Sequence, residues 1–429
     1  MRVLVVHQNF PGQFGHLVQA WAARPGWQVR ALGRDTAPGL PGFDALTRYR
    51  PGRDVRADQH PYLRKAEAAT LHGQAAARTM LAMKRSGFVP DAILAHPGWG
   101  ETLFAKDVFP DARLVHLCEW YYSARGADVD FDPEFPATLD DHARLRSWNA
   151  LHALNLVQCD AAVSPTHWQR ERHPAPLRDK VVVQHEGIDT ERLAPDASAR
   201  LTLPGGMVLR AGDPVVTFVA RNLEPYRGFH VFMRALARIQ KADPRAHAVV
   251  VGGDGTSYGR APKDAPNWRE RMLREVAVDP ARTHFTGRLP HARYLQVLQV
   301  SAVHVYLTYP FVLSWSMLEA MACGALVVGS DTPPVREVLR HRENGLLVPF
   351  FDQAAIADTV CAALESTAAH AGLRERARAD AASYSRRAGL AGYDALLCGA
   401  SPAVSRPPIA SAAYEEGLNN SVRSCPSRR

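Results

Sequence analysis

Residues 302–329, AVHVYLTYPFVLSWSMLEAMACGALVVG, decide how the rest of the chain is read. An apolar run of strand length (302–307) is followed by a short polar break. A compact helix-like segment then ends in EAMACG at 319–324, and a second apolar run fills 325–328. Gly324 stands where a helix C-terminus favours a residue free to take positive φ. The order strand, helix, strand is the unit of a parallel sheet, in which a ligand sits past the carboxyl end of a strand. The helix begins near Ser314, Trp315 and Ser316, and its free N–H groups face any anion held there. Glu319 lies about one turn into it, within reach of a ligand at its mouth.

Outward from this unit the same alternation recurs. At 429 residues the chain suits two domains of roughly 200 residues each. The first half shows apolar runs at 3–6, 27–32, 92–95, 114–118, 161–164 and 181–184, with helical stretches at 61–86 and 143–157. The second shows runs at 215–220, 248–251, 284–287, 303–307, 326–329 and 346–348, with helices at 353–367 and 371–398. Repeated units of this length imply a doubly wound parallel sheet in each half. The expected organisation is therefore α/β, with a Rossmann-like domain at 1–189, a linker at 190–213 rich in Pro, Asp and Gly, and a second such domain at 214–380. A helix at 381–400 is expected to return toward the first domain. From Ser401 the Ser, Pro, Ala and Arg content predicts a disordered tail over 401–429. No internal sequence repeat is present.

Composition excludes several classes. The hydrophobic fraction of 46% supports real cores, yet no apolar run approaches the ~20 residues of a membrane span. The N-terminal run in MRVLVVHQNF is too short for a signal peptide and reads as a buried strand. Net charge is +8 with scattered arginines, which reads as composition rather than a nucleic-acid surface. It permits peripheral contact with anionic membrane acceptors, though no amphipathic anchor stands out. The six cysteines form no C-x-x-C pair and no zinc spacing, so they read as small hydrophobes in a reducing cytoplasm.

Two facing α/β sheets create a cleft where strand carboxyl ends converge. Gly12 and Gly15 follow the first strand and would let the backbone approach an acceptor or a phosphate. Pro-Gly-x-x-Gly falls short of the full dinucleotide fingerprint, and no acidic residue is placed for a ribose, which disfavours hydride transfer. Arg221 and Arg227 lie in ARNLEPYRG (220–228), on the loop after the first strand of the second half. Two cations at a strand's carboxyl end suit a diphosphate; the alternative is a solvated loop paired with Glu224. Gly252-Gly253-Asp254-Gly255 is a glycine turn at a strand end, readable as a plain turn or as a ligand loop. His96, Glu101, His116 and Glu119 lie at or near strand ends in the first half, and a histidine or carboxylate there can orient a hydroxyl. His96 and Glu119 are the catalytic candidates, whereas His116 lies inside its strand. Trp99, Trp120, Tyr121 and Tyr122 read equally as a sugar-stacking wall or as core.

In combination these motifs carry a resemblance. Arg221 and Arg227-Gly228, Gly253-Asp254-Gly255, Phe285-Thr286-Gly287, and Glu319-Ala320-Met321-Ala322-x-Gly324 with Val327-Val328-Gly329-Ser330 resemble, in order and spacing, the donor half of glycosyltransferase family 4, enzymes of the GT-B architecture. Gln184-His185-Glu186-Gly187-Ile188-Asp189 is similar to the family's Asn-Gly-Val-Asp segment. HPGWGE (96–101) and DFDPEF (130–135) resemble one subgroup. The resemblance implies that Arg221 and Arg227 neutralise the leaving diphosphate and that Glu319 binds the ribose hydroxyls. It also implies that Ser316 and Met317 offer helix-end N–H groups, and that Thr286, Gly287 and Arg288 lie near the base. In family enzymes a glutamate that faces the sugar precedes Glu319 by eight residues; here that position is Phe311.

The expected function is a retaining glycosyltransferase that moves a sugar from a nucleoside-diphosphate sugar to an acceptor hydroxyl, in glycan or glycolipid synthesis. The acceptor is a glycan, a lipid-linked molecule or a small molecule. No metal and no other cofactor is expected, because arginines and a helix end neutralise the diphosphate. Asp128-Val129-Asp130 and Asp130-Phe131-Asp132 have Asp-x-Asp spacing but fall in a loop. The expected location is cytoplasmic, with contact at the inner membrane face permitted. Two alternatives stay open: a nucleotide-sugar-binding protein without turnover, motivated by Phe311, and a GT-B epimerase or phosphorylase.

Overall fold

The short Val-, Ala- and Leu-rich runs lack polar alternation because their strands are covered on both faces. In the computed structural model, which describes residues 1–400, they form two parallel sheets. The tail expected at 401–429, with Cys425, lies outside the described residues. The first sheet contains β1 (Arg2–Val6), β2 (Gln28–Arg34), β3 (Leu46–Tyr49), β4 (Ala92–Ala95), β5 (Arg113–Leu117), β6 (Ala161–Ser164) and β7 (Val181–Val183), in the order β3-β2-β1-β4-β5-β6-β7. A two-stranded hairpin of β8 (Arg200–Thr202) and β9 (Val208–Arg210) follows. The second sheet contains β10 (Val215–Asn222), β11 (His247–Gly253), β12 (Thr283–Gly287), β13 (Val303–Tyr306), β14 (Leu326–Ser330) and β15 (Leu346–Val348), ordered β12-β11-β10-β13-β14-β15. Strand order reverses between β1 and β4 and between β10 and β13. Those reversals open the crevices where α/β sheets take ligands.

The structure changes three sequence expectations. The 190–213 segment is not a free linker. Its hairpin buries Leu201 and Leu209 against Val249 and Val297 of the second domain. Leu203 N–H donates to Met207 O at 2.8 Å and closes the turn. β3 has no long apolar run and was not foreseen. The helix expected at 371–398 is two helices, Ala371–Ala382 and Arg386–Leu397, with Ser385 capping the second through its side chain. The first packs Ala377 and Ala381 against the helix Trp315–Ala322. The second returns to the first domain, where Tyr393, Leu396 and Leu397 join the core under β1. Asp394 there accepts from Trp21 Nε1 at 2.7 Å and pairs with Arg24 at 2.6 Å.

The two domains are in contact. Trp120, Ala127 and Trp168 of the first join a hydrophobic cluster of the second that contains Phe311, Tyr309 and Phe350. The Glu337 carboxylate accepts the N–H groups of His167 and Trp168, both at 2.7 Å, at the start of the helix His167–Glu171. A carboxylate suits that end because the first N–H groups of a helix lack internal partners.

Candidate active site

On the first-domain side, the loops after β1, β4 and β5 meet. The His7 Nδ1 accepts from Asn9 N–H at 3.0 Å, which leaves its Nε2 to donate to Gln13 Oε1 at 3.1 Å. Gln13 Nε2 then donates to Glu119 Oε1 at 3.0 Å. In the same way His96 Nδ1 accepts from Gly98 N–H at 3.2 Å, so its Nε2 faces Glu119 Oε2 at 3.3 Å. Both expected catalytic residues, His96 and Glu119, are thus brought together. Glu119 is oriented from two sides, and its backbone O accepts from Gln169 Nε2 at 2.8 Å. Its side chain keeps 35% exposure, so lone pairs remain for a ligand. Burial works to raise its pKa, but the hydrogen bond with His96 and the positive charge of Arg221 hold it below the ordinary range. Burial drives His7 the other way, down to about 3, so it is a neutral donor.

Gly12 serves this cluster in a way its sequence reading did not foresee. It has φ +53°, and an added Cβ would lie 2.2 Å from His7 Nε2. Its bareness makes room for an imidazole, not for a ligand. Gly15 has ordinary helical φ of −53° and only routine contacts near 3.6 Å, so nothing there requires glycine. Glu101 is turned away from the cleft. It accepts from Tyr49 Oη at 2.6 Å and Gln8 Nε2 at 3.2 Å, deep in the domain. His116 is fully buried, and burial lowers its pKa to about 3. Trp99 stacks on His96 at 4.4 Å, and Tyr122 on Trp148 at 4.3 Å. Trp120 is core between the domains, 4.9 Å from Phe311.

On the second-domain side, Arg221 is exposed near the end of β10, and among the described residues no hydrogen bond or ion pair holds it. Its charge acts on Glu119 and His7 across the cleft. Arg227 is buried, and among the described residues only its Nη1 is bonded: to Val312 O at 2.8 Å, Thr308 Oγ1 at 2.9 Å and Tyr306 Oη at 3.4 Å. No carboxylate pairs with it among the described residues. A buried guanidinium without a counter-charge is costly unless an anion completes it. Glu224 does not pair with either arginine. It is engaged by the backbone N–H groups of Ser257, Tyr258 and Gly259 at 2.9–3.3 Å. Gly228 has φ +68°, and a Cβ there would lie 2.4 Å from Leu307 Cβ, so only glycine lets the helix Phe229–Ala242 start directly after Arg227.

The helix Trp315–Ala322 points its first turn into the same region. Ser314 caps it, and the N–H groups of Ser316 and Met317 reach Ser314 at 3.4 Å, the outer limit of a hydrogen bond. Glu319 accepts from Tyr294 Oη through Oε2 at 2.5 Å, and burial raises its pKa. Arg288 donates to Asn222 Oδ1 at 3.0 Å. This bond passes over Gly253, where a Cβ would meet Asn222 Oδ1 at 2.7 Å and Arg288 Nε at 2.9 Å. Gly253 is therefore a packing requirement, while Gly287 has φ +66° with open space beside it. Phe311 does not face a vacant sugar site. It is 4% exposed, with its ring 4.9 Å from Trp120 and Tyr258 and 5.5 Å from Tyr226.

Sequence reasoning passed over His7, Tyr294 and Glu186. His7 sits past β1 as His96 sits past β4, and the strand-end argument applied to it equally. Tyr294 carried no signal, being one aromatic in a helix. Glu186 is 1% exposed with Oε2 unpartnered, facing the Trp315 indole and Glu119. Burial pushes it up to about 8, so it is protonated at neutral pH. Among the described residues one group of acids and histidine lies close enough to hold a cation, Asp132, Glu134 and His230. The fork of Arg234 on Glu134 already supplies a positive charge there.

The comparisons agree with this geometry. Residues 25–193 match the model described as glycosyl transferase family 4 group, and residues 213–366 match glycosyl transferases group 1. The fold is the GT-B architecture, and each of its two domains matches a glycosyltransferase family model. The chain is 30% identical to a D-inositol 3-phosphate glycosyltransferase of Nocardia farcinica over 44% of its length, which spans 40% of that relative. It is 26% identical to a glycogen synthase of Mycobacterium tuberculosis over 88% of this chain and 89% of that one. Among solved structures, sucrose-phosphate synthase from Thermosynechococcus elongatus superposes with a TM-score of 0.66 at 18% identity, covering 98% of this chain and all of that one. Anabaena HepE in complex with UDP and glucose gives 0.65 at 16% identity over 93% of this chain and 100% of that one.

Proposed function

We propose that the protein transfers a sugar from a nucleoside-diphosphate sugar to an acceptor hydroxyl with retention of anomeric configuration. It belongs on this reading to the family 4 subgroup marked by the sequence at 96–101. The observation that carries the proposal is Arg227. Among the described residues it is a buried cation without a carboxylate, six residues after Arg221, which has no bonded partner there either, and near the first turn of Trp315–Ala322. Such a site suits a diphosphate. Glu319 would accept ribose hydroxyls, since Tyr294 engages only Oε2. Asn222, Arg288 and the turn at Gly287 would flank the base.

In the reaction the bond from the sugar's C1 to the diphosphate oxygen breaks with its electron pair leaving on that oxygen, the acceptor oxygen bonds to C1 on the same face, and the acceptor's proton passes to the departing diphosphate. Arg221, Arg227 and the helix end stabilise charge as it builds on the leaving group. Glu119 is ionised and held by Gln13 and His96, so it is placed to orient a hydroxyl and to accept a hydrogen bond from it. This scheme needs no bound metal. The acceptor is a glycan, lipid-linked or small molecule. Among the described residues no helix is long and apolar enough to cross a membrane, and we place the reaction in the cytoplasm or at the inner membrane face.

Isothermal titration with UDP, GDP and ADP tests the donor site, and binding of none of them refutes it. A donor panel read by mass spectrometry then tests transfer. Phe311 motivates the second reading, a nucleotide-sugar-binding protein without turnover; transfer that is lost in Glu319→Ala rules it out.

A further inference from the structure

The segment between β5 and the helix Leu139–Gln158 is not absorbed by the proposed chemistry. It leaves its own domain and grips the other. Asp128 accepts from Tyr226 Oη at 3.0 Å. Asp132, 2% exposed, accepts from Tyr309 Oη at 2.5 Å and lies 2.9 Å from His230 Nε2. Phe131 packs 5.2 Å from both Tyr309 and Phe350. Glu134 takes the fork of Arg234.

The gripped residues bracket one position. Tyr226 immediately precedes Arg227, and His230 lies in the first turn of the helix that follows it. Tyr309 N–H donates to Tyr226 O at 3.0 Å, which ties two of the grips together. The loop is also shaped from within. Asp130 takes φ +59°, a left-handed conformation uncommon for a residue with a side chain. Its carboxylate accepts Ala137 N–H at 2.6 Å and meets His142 Nε2 at 3.0 Å. The loop is therefore built by its own domain and offers two buried carboxylates to the other.

We propose that loop 128–135 is a clasp through which closure of the two domains positions Arg227, with Asp128 and Asp132 as its positioning residues. This rests on the reading of Arg227 as a diphosphate ligand. When the domains separate, Tyr226, Tyr309 and His230 lose their partners and the Arg227 loop loses its restraints. Donor binding and closure then favour each other, because each stabilises the same arrangement.

The test uses Tyr226→Phe/Tyr309→Phe in the full chain, which removes only the two gripping hydroxyls and leaves the rings. Small-angle scattering reads closure, and titration with UDP, GDP and ADP reads the site. The expected result is a larger radius of gyration and nucleotide affinity weaker by about tenfold, a typical coupling between sites. In an Arg227→Ala background the same pair of changes should weaken affinity no further, whereas general damage would add to it. Unchanged scattering with unchanged affinity overturns the clasp, as does an additive loss beside Arg227→Ala. Should the double variant fold poorly, Tyr226→Phe alone is read in the same way. If the unmodified protein binds no nucleotide, the donor-site reading fails, while the scattering arm still decides whether the clasp holds the domains.

Discussion

Glu186→Gln should make the protein more stable at neutral and alkaline pH. The Glu186 carboxyl is sealed at the domain junction with Oε2 unpartnered, and Glu119 faces it. An ordinary glutamate would ionise at 4.5, but burial here pushes the group up to about 8. The folded chain thus holds the proton more tightly than the unfolded one. Stability from this group is complete below about 4.5 and is lost as pH rises to about 8. At about 1.4 kcal/mol per pH unit, that interval amounts to about 5 kcal/mol, with about 3 kcal/mol gone by pH 7. The amide of glutamine has similar shape and never ionises. Urea unfolding of both proteins from pH 5 to pH 9 should show the Glu186→Gln advantage growing with pH and levelling off above about 8. An advantage that stays flat across this range would refute the argument.

Three other outcomes test the site. Arg227→Ala should weaken nucleotide binding by about 10- to 100-fold by titration, with Arg227→Lys intermediate because a lysine keeps charge but loses the fork. Glu119→Gln should lower turnover by about 10²- to 10⁴-fold with nucleotide affinity nearly unchanged. Because Glu119 is held below the ordinary glutamate range, the acid limb it contributes to the rate profile should also lie below that range. Gly228→Ala should destabilise by about 1–3 kcal/mol in thermal unfolding, since the added methyl meets Leu307 and the backbone is left-handed.

The parallel sheets were legible because buried strands leave apolar runs, as at 92–95 and 303–307, where the structure forms β4 (Ala92–Ala95) and β13 (Val303–Tyr306). β3 was not, because LTRY has no such run and its burial comes from neighbours. Arg221 and Arg227 are read together from their place at a strand's carboxyl end and Glu319 from its helix, and the structure has Arg221 near the end of β10, Arg227 just after that strand and Glu319 inside the helix Trp315–Ala322. What spacing could not convey was which polar partners each group finds. Glu101 looked like Glu119 in sequence, yet Tyr49 claims the first and His96 the second. Glu224 was offered as a counter-charge for the arginines, but three backbone N–H groups outcompete them. Phe311 became intelligible only when Trp120, 191 residues earlier in the chain, was found against it.

The return of Arg386–Leu397 to the first domain has a consequence for biosynthesis. Tyr393, Leu396 and Leu397 fill the core beneath β1, and Asp394 receives Trp21 and Arg24 from near the opposite end of the chain. On the ribosome the first domain therefore keeps part of its apolar face uncovered until Arg386–Leu397 has been made. The trailing domain takes its own sheet from one continuous stretch and can be complete first. The core under β1 is thus closed by a helix made after the whole second sheet, and apolar surface left uncovered in the meantime is of the kind that promotes aggregation.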